Sequence, residues 1–456
     1  MSSHVAIIGA GPAGLVSAKE CLEQGLDVTV FEKSERIGGL WNAGAGVWPD
    51  MRTNLSKDTC AFPDFPWPDE ADLFPTQAAM VNYLKAYTAH FKLQERAQFH
   101  FKTQAHVERD GDKWSVLTPD GHHRFDHVIV GTGFFNKPYI PDVSGLDDFK
   151  GTLNHSAHIN AFKTYAGRRV VVVGNAFSGC DIAVGLVAAG ADVTHIFRRP
   201  VWVLPREFAM PEGDEPIDSV FYRKSEAPQD MSLTERYSRT NEAMGELCGL
   251  QNAMRDDLYI ETQNNTNPPL VTVSDGYVYA VREGMIQLKR MQYIEIEPNG
   301  LRGIDGQVDD IIFATGFETD LSFLSSDIQR ALQYQPTDRF LPALLHEGMW
   351  ALDQDNLALI GMYRGPFFLT MALQAKWAAA SFASPEFRPT AREIAQGIEQ
   401  MRALRDLPHS QRPQFPIGEY VSYVERLAAQ SGVAIDYEMD QRVLPSDYAI
   451  GAHKPR

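Results

Sequence analysis

The chain has 456 residues and a formal charge of −17, from 42 Lys and Arg against 59 Asp and Glu. That length exceeds one hydrophobic core and predicts two or three domains. The acidic balance argues against general nucleic-acid binding, and ordinary Gly, Pro and apolar contents argue against wholesale disorder.

The first predicted unit runs from His4 to Lys33: an apolar strand, a Gly-rich turn, an amphipathic helix ending at Gly, and a second strand. This is a βαβ unit with a phosphate-binding turn. Its turn, Gly9-Ala10-Gly11-Pro12-Ala13-Gly14, is a full GxGxxG. Gly9 permits the tight bend, Gly11 lets a pyrophosphate approach the backbone, and Gly14 lets helix and strand pack closely. Pro12 and Ala13 open the helix, whose free N–H groups favour phosphate. Glu32 ends the second strand 23 residues after Gly9, with Lys33 behind it. A carboxylate there accepts from a ribose diol and disfavours a 2′-phosphate, so FAD or NAD fits this site better than NADP.

Gly38-Gly39-Leu40-Trp41 reads either as a cover for an isoalloxazine ring or as a loop anchored by a buried indole. Further on, Val128-Ile129-Val130 runs into Gly131-Thr132-Gly133, and Ile311-Ile312-Phe313 into Ala314-Thr315-Gly316. Such turns let a nucleotide lie against the backbone where the chain crosses between domains.

A second βαβ unit spans Arg168 to Arg199, with the turn Gly174-Asn175-Ala176-Phe177-Ser178-Gly179. Ala176 replaces the middle glycine and still tolerates close approach. Where the first unit has Glu32, the second has Arg198-Arg199. A guanidinium fork suits a dianionic 2′-phosphate, although a solvated surface pair is the plain alternative. The contrast points to FAD in the first site and NADPH in the second. The expected fold is α/β, with two Rossmann-like dinucleotide-binding domains, the second inserted into the first. Residues 1–150 begin the FAD domain; 151–295 hold the NADPH domain, with an insertion at about 205–280; 296–456 return to the FAD domain and add a helical C-terminal region. The polar run from Gln263 to Pro269 is expected to be a loop.

Cys21, Cys60, Cys180 and Cys248 form no CxxC pair and no zinc-like spacing, so no disulfide framework, metal site or dithiol centre is expected, and the pattern suits a cytoplasmic protein. No signal-peptide pattern precedes Val5, and no apolar stretch reaches membrane-spanning length.

From Val5 to about Trp377 the chain resembles the flavin-containing monooxygenases. The resemblance rests on Arg52-Thr53-Asn54-Leu55-Ser56-Lys57, Phe62-Pro63-Asp64-Phe65-Pro66, Phe74-Pro75-Thr76, Tyr83-Leu84, the FxGxxxH-like stretch Phe149 to His155, and Gln374-Ala375-Lys376-Trp377, in order between two dinucleotide motifs. It implies that NADPH reduces FAD, that reduced flavin and O2 form a C4a-(hydro)peroxyflavin, and that a soft nucleophile of a small molecule takes one oxygen. It further implies Gln374 on a late helix beside the flavin, and it is compatible with a homodimer. A neutral amide such as Asn54 could hydrogen-bond flavin and nicotinamide without delivering a proton; an Asx-turn role is the alternative. His155 reads as an inter-domain structural residue. Cys60 reads as a small buried apolar one.

One position departs from the pattern. After FxGxxxH the family usually continues to Tyr or Phe, and the related Baeyer–Villiger enzymes to Trp; here the residue is Ile159. The fingerprint therefore leaves N- or S-oxygenation, ketone oxidation and uncoupled NADPH oxidation all open. Tyr363, Phe367 and Phe368 read equally as pocket or core.

Overall fold

The computed structural model describes residues 2–42, 44–224, 231–254, 257–365, 367–438 and 441–450. The first predicted unit forms as β1 (His4–Ile8), α1 (Pro12–Glu23) and β2 (Asp27–Phe31), followed by β3 (Gln98–His100) and β4 (His127–Val130). Val5, Ala6 and Ile7 of β1 are fully buried, as a parallel strand covered on both faces must be. Each such Val or Ile contributes about 1.5–3 kcal/mol by leaving water. All pairings in this sheet are parallel, with Ile8 opposite both Phe31 and Val130. The register brings the turn after β1, Glu32 and Gly131 together at the carboxyl edge.

The second unit forms as β5 (Thr152–His155), β6 (Arg169–Val173), α2 (Phe177–Ala188), β7 (Asp192–Phe197), β8 (Ile286–Arg290) and β9 (Asp310–Phe313). Its strand order is β8-β7-β6-β9-β5, with Val173 opposite Ile196 and Phe313. This corrects the expected boundary at 295. β9 lies between β6 and β5, so the second domain extends past residue 313. The apolar run at 311–313 carries no mark of which sheet receives it; the pairing partners do.

The chain then returns to the first sheet as β10 (Leu357–Leu359), which pairs with β4 and completes the order β10-β4-β1-β2-β3. α3 (Phe368–Ala383) packs on α1, and α4 (Tyr420–Ser431) packs on α3. The facing helices are rich in small residues, with Ala13 and Ala18 on α1 and Ala372, Ala375 and Ala379 on α3 all buried. Gln263–Pro269 is without helix or strand, as expected. The four cysteines are buried and free. Among the described residues no helix is long and apolar enough to cross a membrane.

Candidate functional site

A cleft of about 1670 Å³ opens at the carboxyl edges of both sheets and is lined by both Gly-rich turns. Ligands of drug size occupy pockets of about 300–1,000 Å³, so the space exceeds that for one such molecule. The turns are built alike. Gly9 has φ +107°, and a Cβ there would lie 2.7 Å from Gly131 O; Gly174 has φ +104°, and a Cβ would lie 2.6 Å from Ala314 O. Only glycine fits either position. A Cβ on Gly14 or Gly179 would collide with the carbonyl of Gly9 or Gly174, so these two hold helix to strand and do not line the cleft.

The two turns differ where the second strand ends. In the first, the Ala10 N–H donates to Glu32 Oε2 and the Ser34 N–H to Oε1, both at 2.7 Å, and the carboxylate is buried. In the second, Asn175 Nδ2 donates to the Arg199 carbonyl at 2.9 Å, and Arg198 and Arg199 are exposed residues with no carboxylate in ion-pair range among the described residues. One site carries a fixed anion and the other two free cations.

His195 and His155 support the second domain's edge from below. His195 Nε2–H donates to Gly174 O at 2.9 Å, and the Tyr277 hydroxyl is 2.6 Å from Nδ1. His155 Nε2–H donates to Gly316 O at 2.9 Å while Nδ1 accepts from the Ala157 N–H. Burial pushes both imidazoles down to about 4, so they are neutral near pH 7. Both ring nitrogens of His155 are thus taken by backbone groups.

Asn54 lines the cleft, and its Oδ1 accepts from Arg206 Nη2 at 3.2 Å. Arg206 also donates to Thr53 O (3.0 Å), Asp275 Oδ2 (2.9 Å) and Asp181 Oδ2 (2.8 Å). Its charge is thus compensated, and the Asn54 amide N–H₂ remains for the cleft. Two residues later, Ser56 gives its N–H and hydroxyl to the fully buried Asp218, which also accepts from Thr59 and from Arg442 Nη2 at 2.7 Å. The Asn54 loop is therefore clamped by Arg206 and Asp218, both from the insertion. Sequence reading missed both; an Arg after an apolar strand and an Asp in a short helix carry no motif.

Beyond Asn54 the cleft meets an aromatic wall. Tyr222 of the insertion lies 4.5 Å from Tyr420, and Tyr420 lies 4.8 Å from Phe367, centroid to centroid. Tyr363 and Phe368 line the cleft as well and are buried in the main core, so pocket and core coincide there.

Of the expected site residues, all line the cleft except Gly14, Gly179 and Gln374. Gln374 is fully buried on α3; it accepts from the Gly361 N–H at 3.0 Å and donates to Glu347 O and Tyr423 Oη at 3.1 Å. Its amide is spent inside the protein, and it reaches the cleft only through Gly361. Trp377 is likewise buried away from the cleft, whereas Trp41 borders it.

The family model described as flavin-binding monooxygenase-like matches residues 2–439. The chain belongs to that family. As a monooxygenase of this family it is an oxidoreductase. It is 29% identical to "Flavin-containing monooxygenase 2" of Homo sapiens over 464 residues, covering 96% of this chain and 84% of the relative. It is 28% identical to "Dimethylaniline monooxygenase [N-oxide-forming] 2" of Macaca mulatta, with the same coverage. In fold it resembles cyclohexanone-bound cyclohexanone monooxygenase (TM-score 0.71, 18% identity, 94% of this chain and 98% of that one). It also resembles S-allyl-L-cysteine S-oxygenase from Allium sativum (TM-score 0.64, 20% identity, 95% and 89%).

Proposed function

We propose that the flavin-binding monooxygenase uses FAD at the Gly9 turn, NADPH at the Gly174 turn and dioxygen to oxygenate an amine nitrogen or a sulfide sulfur. The observation that carries this reading is the opposed chemistry of two like turns facing one cleft: Glu32 for a plain ribose, and free Arg198 and Arg199 for a phosphorylated one. The residues fit the groups. Each turn is a cradle that a Cβ would fill, at a helix N-terminus suited to phosphate. When bound, FAD and NADPH supply the electrons and the activation of dioxygen, which side chains cannot.

The chain's own contribution is binding, orientation and water exclusion. Asn54, with its oxygen held by Arg206, offers N–H donors and no titrating proton to the reacting region. The Tyr222–Tyr420–Phe367 wall buries the apolar body of a substrate. The N-oxide-forming relatives support nitrogen as one acceptor atom.

The test supplies a tertiary amine, a thioether and a cyclic ketone separately, and measures NADPH and O2 consumed, hydrogen peroxide released and product formed. Amine oxide or sulfoxide matching the NADPH consumed is the expected result. Ester from the ketone alone would move the assignment to ketone oxidation. Peroxide equal to NADPH with all three compounds would make the protein an oxidase.

A further inference from the structure

Two arginines in the cleft belong to neither Gly-rich turn. Arg339 Nη1 donates to Thr315 O at 2.7 Å, and its guanidinium lies 3.9 Å above the Tyr139 ring. Arg364 Nη2 donates to the Arg339 carbonyl, and its guanidinium lies 5.6 Å from the Phe134 ring. The two bridge the domains, since Thr315 follows β9 and Phe134 follows β4. Each guanidinium has five N–H donors and spends one on a carbonyl, and the Arg364 Nε is buried without a hydrogen-bond partner.

Among the described residues neither has an ion-pair partner. The nearby carboxylate, Asp338, is already used: Oδ2 accepts from Arg412 at 3.1 Å, and Oδ1 accepts from the Phe340 and Leu341 N–H groups. Burial, then the Arg339 charge, lowers Arg364 to about 10; burial and the Arg198 charge lower Arg339. Both still carry charge at neutral pH. Like charges held together in a half-buried site are costly unless an anion joins them. In a chain of charge −17, abundant carboxylates could have paired them, and none of the described ones does so.

We propose that Arg339 and Arg364 form an oxyanion-binding pair, separate from Arg198 and Arg199, that takes a phosphate or carboxylate group of a ligand in the cleft. Both residues line the cleft, each guanidinium lies over an aromatic ring, Tyr139 or Phe134, and each keeps N–H groups that no protein acceptor takes among the described residues. Two sources share this chemistry: the pyrophosphate of a dinucleotide, and a carboxylate carried by the substrate. The inference rests on the proposed occupancy of the cleft, and its readout is binding, so it can fail independently of turnover.

The experiment titrates Arg339→Gln, Arg364→Gln and Arg364→Lys, each in the flavin-loaded protein, with NADP+, NAD+, 3-(methylthio)propionate and its neutral amide. Loss of one charge-assisted contact weakens binding by about tenfold or more. A pyrophosphate source predicts that loss for NADP+ and NAD+ alike. A carboxylate source predicts it for the acid and not for the amide. Arg364→Lys should recover part of either loss. Undiminished binding of all probes overturns the pair, as does a loss confined to NADP+ over NAD+, which would assign it to the 2′-phosphate. Equal loss for acid and amide in Arg364→Gln and Arg364→Lys would mean packing only. If Arg364→Gln fails to hold flavin, the half-buried Arg339 carries the same comparison. Failure of the unaltered protein to bind NADP+ would strike the proposed cofactor instead, and the carboxylate arm would then decide the pair.

Discussion

Arg206 Nη2 donates to Asn54 Oδ1 over 3.2 Å, and the same guanidinium is held by Asp181 on α2. The helix that opens the second nucleotide turn is thus linked, through one arginine, to the amide that faces the reacting region. Arg206→Met should free the Asn54 side chain to turn. A hydrogen bond to a charged group contributes about 1.5–3 kcal/mol, so orientation should shift by roughly tenfold or more. The expected result is a several-fold rise in peroxide released per NADPH, with flavin content and NADPH-driven reduction little changed. Asn54→Ala should give the same pattern. If neither variant alters the partition between peroxide and product, Asn54 has no role at the reacting centre.

Arg198 and Arg199 are free to take a 2′-phosphate. Arg198→Ala or Arg199→Ala should raise the NADPH Michaelis constant about tenfold or more while changing that for NADH little, because only NADPH carries the extra phosphate. Steady-state kinetics with both nucleotides check this. An unchanged ratio in both variants would leave the second site without its distinguishing contact.

Both Gly-rich units were legible because their signals are local: an apolar strand, a bend and a helix start within thirty residues of one another. What surrounds Asn54 was not. Arg206 lies 152 positions from Asn54, and Asp218 lies 162 from Ser56, so only folding reveals the clamp. Arg339 and Arg364 were silent for the same reason; a lone arginine in a loop has no pattern until its neighbours are known. Gln374 is a different case. The helix was recognised through the family resemblance, but the face it turns was not, and its amide bridges Gly361, Glu347 and Tyr423 inside the core. The strand at 310–313 also read correctly as a strand and was assigned to the wrong sheet, because strand order in a parallel sheet is set by crossovers rather than by composition.

The likeness of the two turns allows them to be separated. In Gly9→Ala the new Cβ meets Gly131 O, and in Gly174→Ala it meets Ala314 O, each at a positive φ that alanine resists. Gly9→Ala should purify with little or no flavin. Gly174→Ala should stay yellow and lose NADPH affinity, read by flavin absorbance and by NADP+ titration. Flavin lost from Gly174→Ala but kept by Gly9→Ala would reverse the assignment of the two sites.

Acid should loosen the second domain through His195. Its pKa is lowered to about 4 by burial, against an ordinary value of 6.5. A depressed pKa means that stability is fully present above 6.5 and falls as pH drops towards 4, because the unfolded chain gains a proton that the folded one refuses. Across that window one such group costs on the order of 3 kcal/mol. His127 and His155 are lowered to about 4 as well and act in the same direction, whereas the raised carboxyls of Glu20 and Asp181 oppose them. The contribution of His195 is isolated by His195→Gln, whose amide can still donate to the Gly174 carbonyl but takes up no proton. Denaturant midpoints measured from pH 7 to pH 4.5 should decline less steeply in this variant, by about one proton's worth of slope. Parallel declines in the two proteins would mean that His195 is protonated in the folded state, and that the edge beneath the second nucleotide turn is open to solvent.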